Sequence, residues 1–82
     1  MDLGDTRKAI EFYEQQLGIV RGIGDRQGEG DALFNMGLAL YSLEEKDRAI
    51  DLTKRAFIIF EAIESPNADK ARNALKEWGV EG

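Results

Sequence analysis

The sequence predicts an all-α protein built from antiparallel helix hairpins. Apolar residues recur at spacings of three and four in four separate segments, and no segment alternates apolar and polar residues as a half-buried strand does. The chain also resembles itself when it is shifted by about 40 residues. Its 82 residues suffice for a single domain, 1–82, with about two such repeats and four helices.

The internal repeat is visible as matched residues at a fixed spacing. A shift of 40 residues aligns identical residues at Leu3/Leu43, Ala9/Ala49, Ile10/Ile50, Ile19/Ile59 and Ile23/Ile63. Further along, a shift of 42 residues aligns Ala32/Ala74, Leu33/Leu75 and Gly37/Gly79. The two added residues fall in or near Ser65, Pro66 and Asn67, a combination typical of loops. The chain is therefore a degenerate repeat of about 40 residues.

The first two helices are predicted at about 5–23 and 29–43. Asp5 is the expected N-cap of the first helix, because its carboxylate can accept hydrogen bonds from free N–H groups. Gly22 and Gly24 are expected to end that helix, since glycine tolerates positive φ. The main apolar face of the first helix is formed by Ala9, Tyr13, Leu17 and Val20, and it is widened by Ile10, Phe12 and Ile23.

The third and fourth helices are predicted at about 46–64 and 65–79. The third has one wide apolar face, formed by Ala49, Leu52, Ala56, Ile59, Phe60 and Ile63. Ser65 is the expected N-cap of the fourth helix, with Pro66 at its first position and Gly79 at its end. Ile58 stands among charged residues and is expected to be exposed, where with Ala62 it could form a contact.

The second helix is apolar on two sides. Residues 32–43 include no charged residue. At about 100° per residue, one arc consists of Ala32, Leu33, Met36, Ala39, Leu40 and Leu43, and a second consists of Phe34, Leu38 and Tyr41. A polar strip beside the second arc is formed by Asp31, Asn35 and Ser42. One arc fits the hairpin core, so the other must face a neighbouring helix, a partner chain or a ligand groove.

A family resemblance rests on Leu33, Met36, Gly37 and Leu40, followed by Ala49. This spacing resembles the tetratricopeptide repeat (TPR), in the long variant of roughly 40 residues found in G-protein-signalling-modulator scaffolds and prokaryotic repeat proteins. The resemblance covers nearly the whole chain and implies a right-handed superhelix of helix pairs. It also implies that Gly37 permits close helix approach and that Ala49 lets the paired helix pack there. The sequence departs from the family pattern at Gln16, Thr53, where an aromatic residue is usual, and Glu61.

The resemblance also implies an assignment of segments and sites. Residues 5–23 match the second helix of a repeat, 26–64 one full helix pair, and 65–79 a C-terminal capping helix. In TPR proteins the first helices of successive repeats line a concave, peptide-binding face. The matching positions here are Asp31, Phe34, Asn35, Leu38 and Tyr41, continued by Asn73, Lys76 and Glu77. The alternative is that Phe34, Leu38 and Tyr41 pack against adjacent helices and Asn35 is solvated.

Composition narrows the chemistry that the chain can perform. It has no cysteine and no histidine, which excludes disulfides, zinc fingers and histidine-based catalysis. Its net charge of −5 opposes binding to a phosphate backbone. The glycine-rich segment 22–28 lacks the spacing and lysine of a phosphate-binding loop and is interpreted as a helix–helix turn. Carboxylate pairs such as Glu44/Glu45 and Glu11/Glu14 are interpreted as solvated, so no enzyme activity, metal or cofactor is expected.

The expected function is a non-catalytic protein–protein interaction scaffold that binds a peptide or partner segment on the concave face. The alternative is a self-assembly module, in which another copy covers the apolar face of helix 5–23. The partner is thus a protein or peptide, another copy, or further repeats of a longer parent chain, and neither a nucleic acid nor a membrane. No signal pattern or membrane-spanning stretch is visible, so a cytoplasmic location is expected.

Overall fold

The computed structural model describes residues 3–80 as four α-helices. They are α1 (Leu3–Gly22), α2 (Arg26–Ser42), α3 (Lys46–Ala62) and α4 (Asn67–Glu77). Each helix packs against the next one along the chain, and the short turns make successive helices antiparallel. No strand occurs within the described range. The prediction of an all-α fold of antiparallel helix hairpins is confirmed.

All four helices end in the same hydrogen-bonded turn. In each, a backbone N–H reaches back to the carbonyl oxygen five residues earlier, as in a Schellman motif. The N···O distances are 2.8 Å for Asp25–Val20, 3.0 Å for Glu45–Leu40, 2.8 Å for Ser65–Phe60 and 2.9 Å for Val80–Leu75. The residue before each donor has a positive φ, as seen at Gly24, Glu44, Glu64 and Gly79. The expected stops near Gly24 and Gly79 are confirmed, whereas two glutamates adopt the same backbone conformation.

The helix beginnings differ from prediction. Asp5 lies inside the first turn of α1 and is not its N-cap, and an acidic side chain is also favourable there because of the helix dipole. α2 begins at Arg26, earlier than predicted, because the Asp25 carboxylate caps it. α4 begins at Asn67 with Pro66 as N-cap, since the Ala68 N–H bonds to Ser65 in a tighter turn. The Ser65 hydroxyl still accepts a bond from the Asn67 N–H at 3.2 Å.

Two glycines let α2 and α3 approach closely. A Cβ added to Gly37 would meet the Thr53 hydroxyl oxygen and would lie 3.1 Å from the Ala49 carbonyl oxygen. A Cβ added to Gly30 would lie 2.5 Å from Cε1 of the fully buried Phe60 ring. The close approach of Gly37 to the helix that carries Ala49 is therefore confirmed. Thr53 is fully buried and its hydroxyl has no hydrogen-bond partner. The contact between Gly37 and Thr53 is therefore one of close packing and not a hydrogen bond.

The core consists of two clusters that meet around α2. One joins Leu33 of α2 to Ala56, Ile59 and Phe60 of α3 and to Ala68 and Ala71 of α4. The other joins Ile10 of α1 to Met36 and Leu40 of α2 and to Ala49 of α3. α2 contributes to both clusters, which is the physical reason why residues 32–43 include no charged residue. None of the helices in the described part is long and apolar enough to cross a membrane.

Candidate functional site

α2 and α4 run side by side in the same direction. Near their N-terminal ends, the Asn67 amide nitrogen donates to an Asp31 carboxylate oxygen at 3.3 Å. Near their C-terminal ends, the Tyr41 ring stacks on Trp78, with ring centroids 4.3 Å apart and planes 6° from parallel. These two contacts, about ten residues apart on each helix, fix the parallel alignment. Because α2 and α4 are parallel neighbours, one surface of the molecule is lined by both helices.

Three of the candidate site residues hold α2 and α4 together. Phe34 is half-buried and packs against the cluster shared by α2, α3 and α4. Tyr41 is half-buried between Trp78 and the second core cluster, and the Lys46 ammonium lies 5.7 Å from its ring centroid. Asp31 accepts a further bond from Gln27 at 3.1 Å. Packing against adjacent helices therefore describes Phe34 and Tyr41 better than exposure to a partner.

Asn35 and Leu38 are the candidate residues of α2 that remain open. Asn35 is exposed, and its amide forms no hydrogen bond with any other residue of 3–80. Leu38, one turn further along, is 42% exposed. On α4, Asn73 and Glu77 are also exposed. The open part of the face is thus smaller than the sequence predicts, and its walls are the half-buried residues of the seam between α2 and α4.

Lys76 lies in a different place from the other candidates. It lines a cavity of about 490 Å³ between α3 and α4, to which α2 contributes no residue. The apolar lining of this α3–α4 cavity consists of Phe57, Ile58, Leu75 and Val80. Its charged lining consists of three cations, Lys54, Arg72 and Lys76, and one anion, Glu61. Lys76 thus lies beside residues of α3, on a different surface from Asn35.

The α3–α4 cavity was missed by sequence reasoning, apart from the expected exposure of Ile58. That residue is 64% exposed, as predicted. The Arg72 guanidinium lies 5.5 Å from the Phe57 ring centroid and also pairs with Asp69 at 2.9 Å. These contacts place Arg72 over the apolar floor. The cavity is therefore an apolar site with a cationic rim, in a chain whose net charge is −5.

A third open surface lies on α1. Phe12 and Ile19 of α1, and Ile23 directly after its last residue, are 55%, 63% and 74% exposed, and their spacing of seven and four residues places them on one side. We call these three residues the α1 stripe. The neighbouring side of α1, with Val20 and Ile10, is buried against α2. Exposed apolar residues scattered singly need no explanation, but three in a line form a patch.

The glycine-rich segment 22–28 contains the predicted helix–helix turn, which is confined to residues 23–25, since α1 ends at Gly22 and α2 begins at Arg26. The Gly28 N–H at the start of α2 is already bonded to the Asp25 carboxylate at 2.9 Å. Glu29 lies in the same first turn and pairs with Arg21 at 3.0 Å and Arg26 at 3.3 Å. Since carboxylates occupy the N-terminus of this helix, the segment is unsuited to a phosphate group.

Comparison with known proteins yields one partial similarity. The chain is 34% identical over 73 residues to "Regulatory protein AfsR" of Streptomyces griseus. The match takes in 89% of this chain but only 8% of that protein's length. No family model matches the chain, and no solved structure matches it either.

Proposed function

We propose that this chain is a non-catalytic interaction module of the tetratricopeptide type, which binds an extended peptide along the face formed by α2 and α4. The observation that carries this proposal is the parallel pair of helices with the unpaired Asn35 amide and exposed Leu38 beside the seam. Function in such a module requires only a shaped surface. The absence of cysteine and histidine from the sequence fits that role.

Asn35 and Leu38 supply complementary kinds of contact. An exposed asparagine amide can donate to a peptide carbonyl and accept from a peptide N–H at the same time, so it recognises backbone in any sequence. Leu38 offers apolar area one turn away, where a peptide side chain can rest. Recognition of the backbone by Asn35 supplies affinity, and the contact with Leu38 selects an apolar residue.

The face is held rigid before a peptide arrives. Asp31 is fixed by hydrogen bonds to Gln27 and Asn67, and Tyr41 is fixed by the stacked Trp78. A preformed surface loses little conformational entropy on binding, so more of the contact energy appears as affinity. The net charge of −5 favours a basic or neutral peptide, through faster encounter more than through tighter binding.

The similarity to a short segment of a regulatory protein supports this proposal indirectly. That relative is named as a regulator, and the matched part is 8% of its length. A small helical module within a regulator can act by contact with other macromolecules, without catalytic residues of its own.

The proposal is tested by peptide selection followed by substitution. A random peptide library is selected on the immobilised wild-type chain, and the Kd of the tightest peptide is measured for Asn35→Ala and Leu38→Asp. We expect each change to weaken binding by about tenfold or more. Asn35→Ala loses a pair of backbone bonds worth about 1.4 kcal/mol or above, and Leu38→Asp places a charge in an apolar contact. Gln15→Ala and Gln15→Asp, at an exposed position on α1, are matched controls and should leave Kd unchanged. Equal Kd values for all four variants would show that the peptide binds elsewhere.

A second function, self-association through α1, is favoured by the α1 stripe. Three large apolar side chains more than half exposed on one side of a helix are costly in water, and cover by a second copy would remove that cost. Sedimentation equilibrium over a wide range of concentrations tests this proposal. A mass that rises with concentration supports it, and a constant monomer mass contradicts it.

A further inference from the structure

The α1 stripe has a covered counterpart in α3. The shift of 40 residues that aligns α1 with α3 pairs Phe12 with Leu52, Ile19 with Ile59, and Ile23 with Ile63. Ile59 is buried in the cluster that includes Leu33 of α2, and Leu52 packs against the cluster that includes Met36 and Leu40 of α2. On α3, therefore, two of the three counterparts of the α1 stripe pack against another helix of this chain, whereas Ile63, just beyond the end of α3, is 37% exposed.

The α3–α4 cavity has a filled counterpart on α2. The shift of 42 residues pairs Leu33 with Leu75 and Gly30 with Arg72. On α2, Leu33 is buried in the cluster with α3, and Gly30 receives the ring of Phe60 from α3. On α4, the corresponding residues Leu75 and Arg72 line the open cavity. The cavity thus lies where a helix equivalent to α3 would pack on α4.

The two open surfaces are complementary. α1 is the helix that the internal repeat matches to α3, and its uncovered side is the side that α3 uses to pack against α2. The rim of the cavity has three cations and one anion, whereas the charged residues nearest to the α1 stripe on the helix surface are one anion, Asp5, and one cation, Lys8. The match between the two surfaces is therefore apolar, and net charge does not contribute to it.

We infer that a second copy of this chain docks its α1 stripe into the α3–α4 cavity, head to tail. The inference rests on the self-association proposed above and specifies its interface. Each copy uses one surface to hold the next copy and a different surface to be held. Such a heterologous contact extends into chains of copies, or closes into a ring if the rotation between copies permits. It pairs α4 of one copy with α1 of the next as α2 is paired with α3 inside each copy.

Two variants, alone and mixed, test the inference. Ile19→Asp places a charge in the α1 stripe, and Ile58→Asp places the same charge in the cavity. Both residues are more than 60% exposed in the single chain, so the core is left intact; circular dichroism and the thermal midpoint check this. Each variant alone should have its association constant lowered by about 100-fold or more, because each change removes a large apolar side chain from the contact and replaces it with a carboxylate that must lose water on docking.

Mixing the two variants distinguishes head-to-tail docking from other contacts. One Ile19→Asp copy and one Ile58→Asp copy still have one intact stripe and one intact cavity between them. We expect the mixture, followed by sedimentation velocity, to form a 1:1 dimer that grows no further, while each variant alone stays monomeric and the wild type forms larger species.

The possible failures have different meanings. A wild type that remains monomeric at all concentrations overturns self-association and the interface together. If Ile58→Asp associates as the wild type does, self-association stands and the head-to-tail interface is wrong, as in a stripe-to-stripe dimer. Association of Ile19→Asp at wild-type strength excludes the α1 stripe as a contact surface. A mixture that stays monomeric although the wild type associates also contradicts the inference.

Discussion

Alanine at position 37 should destabilise the protein, although alanine is the better helix former. Gly37 lies in the interior of α2, where alanine is intrinsically favoured over glycine by about 1 kcal/mol. The added Cβ would meet the Thr53 hydroxyl oxygen and lie 3.1 Å from the Ala49 carbonyl oxygen. The first is fully buried and the second is backbone, so neither can move aside without displacing α3.

The size of the effect follows from these opposing contributions. Overpacking of a tight core contact costs typically about 1–3 kcal/mol, so Gly37→Ala should lower the free energy of unfolding by up to about 2 kcal/mol after the helix gain of about 1 kcal/mol is subtracted. Gly18→Ala is the matched control, because Gly18 is exposed in the interior of α1 and its added Cβ would meet nothing within 4 Å. That control should raise the free energy of unfolding by about 0.5–1 kcal/mol.

Urea unfolding followed by circular dichroism measures both variants against the wild type. A third variant isolates the contact itself: with Thr53→Ala as background, Gly37→Ala should cost about 1 kcal/mol less than in the wild type, because the hydroxyl has been removed. If Gly37→Ala stabilises the chain as much as Gly18→Ala does, α2 and α3 do not approach closely at this point and the packing described here is incorrect.

Other predictions concern helix ends and the α2–α4 seam. Glu64→Gly should raise the free energy of unfolding by about 0.5–1 kcal/mol, since Glu64 has a φ of 56°; a loss in urea unfolding would contradict this. Asp25→Ala should lower it by about 1 kcal/mol through loss of the α2 cap, whereas Asp25→Asn should nearly preserve it. Trp78→Ala should lower it by about 2 kcal/mol and speed hydrogen exchange in α4 more than in α1; equal acceleration in both helices would count against the stacked pair.

The sequence indicates the helices well and their ends less well. Apolar periodicity was sufficient to locate four helices, because each one buries apolar residues in at least one of the two core clusters. Gly24 and Gly79 indicate two of the left-handed turns. Glu44 and Glu64 occupy the equivalent position without a residue type that signals it, since the Schellman hydrogen bonds and the adjoining packing overcome the intrinsic preference.

The candidate face was predictable in part for a similar reason. A helical wheel places Leu38 and Tyr41 on the same arc, but it cannot show that Trp78 covers Tyr41 while Leu38 stays exposed. That difference depends on the position of α4. The α3–α4 cavity combines residues from 54–61 with residues from 72–80, so its shape depends on the packing of two helices and no local pattern reports it.

The decisive measurement for the proposed function is an NMR titration of the ¹⁵N-labelled chain with the selected peptide. Backbone and side-chain amide signals report which residues meet the peptide. Binding along α2 and α4 should give the largest shifts at the Asn35 side-chain amide, with further shifts at the backbone amides of Leu38 and Asn73. Largest shifts at the α1 stripe or in the α3–α4 cavity, with the Asn35 signals unmoved, would contradict binding at the α2–α4 face.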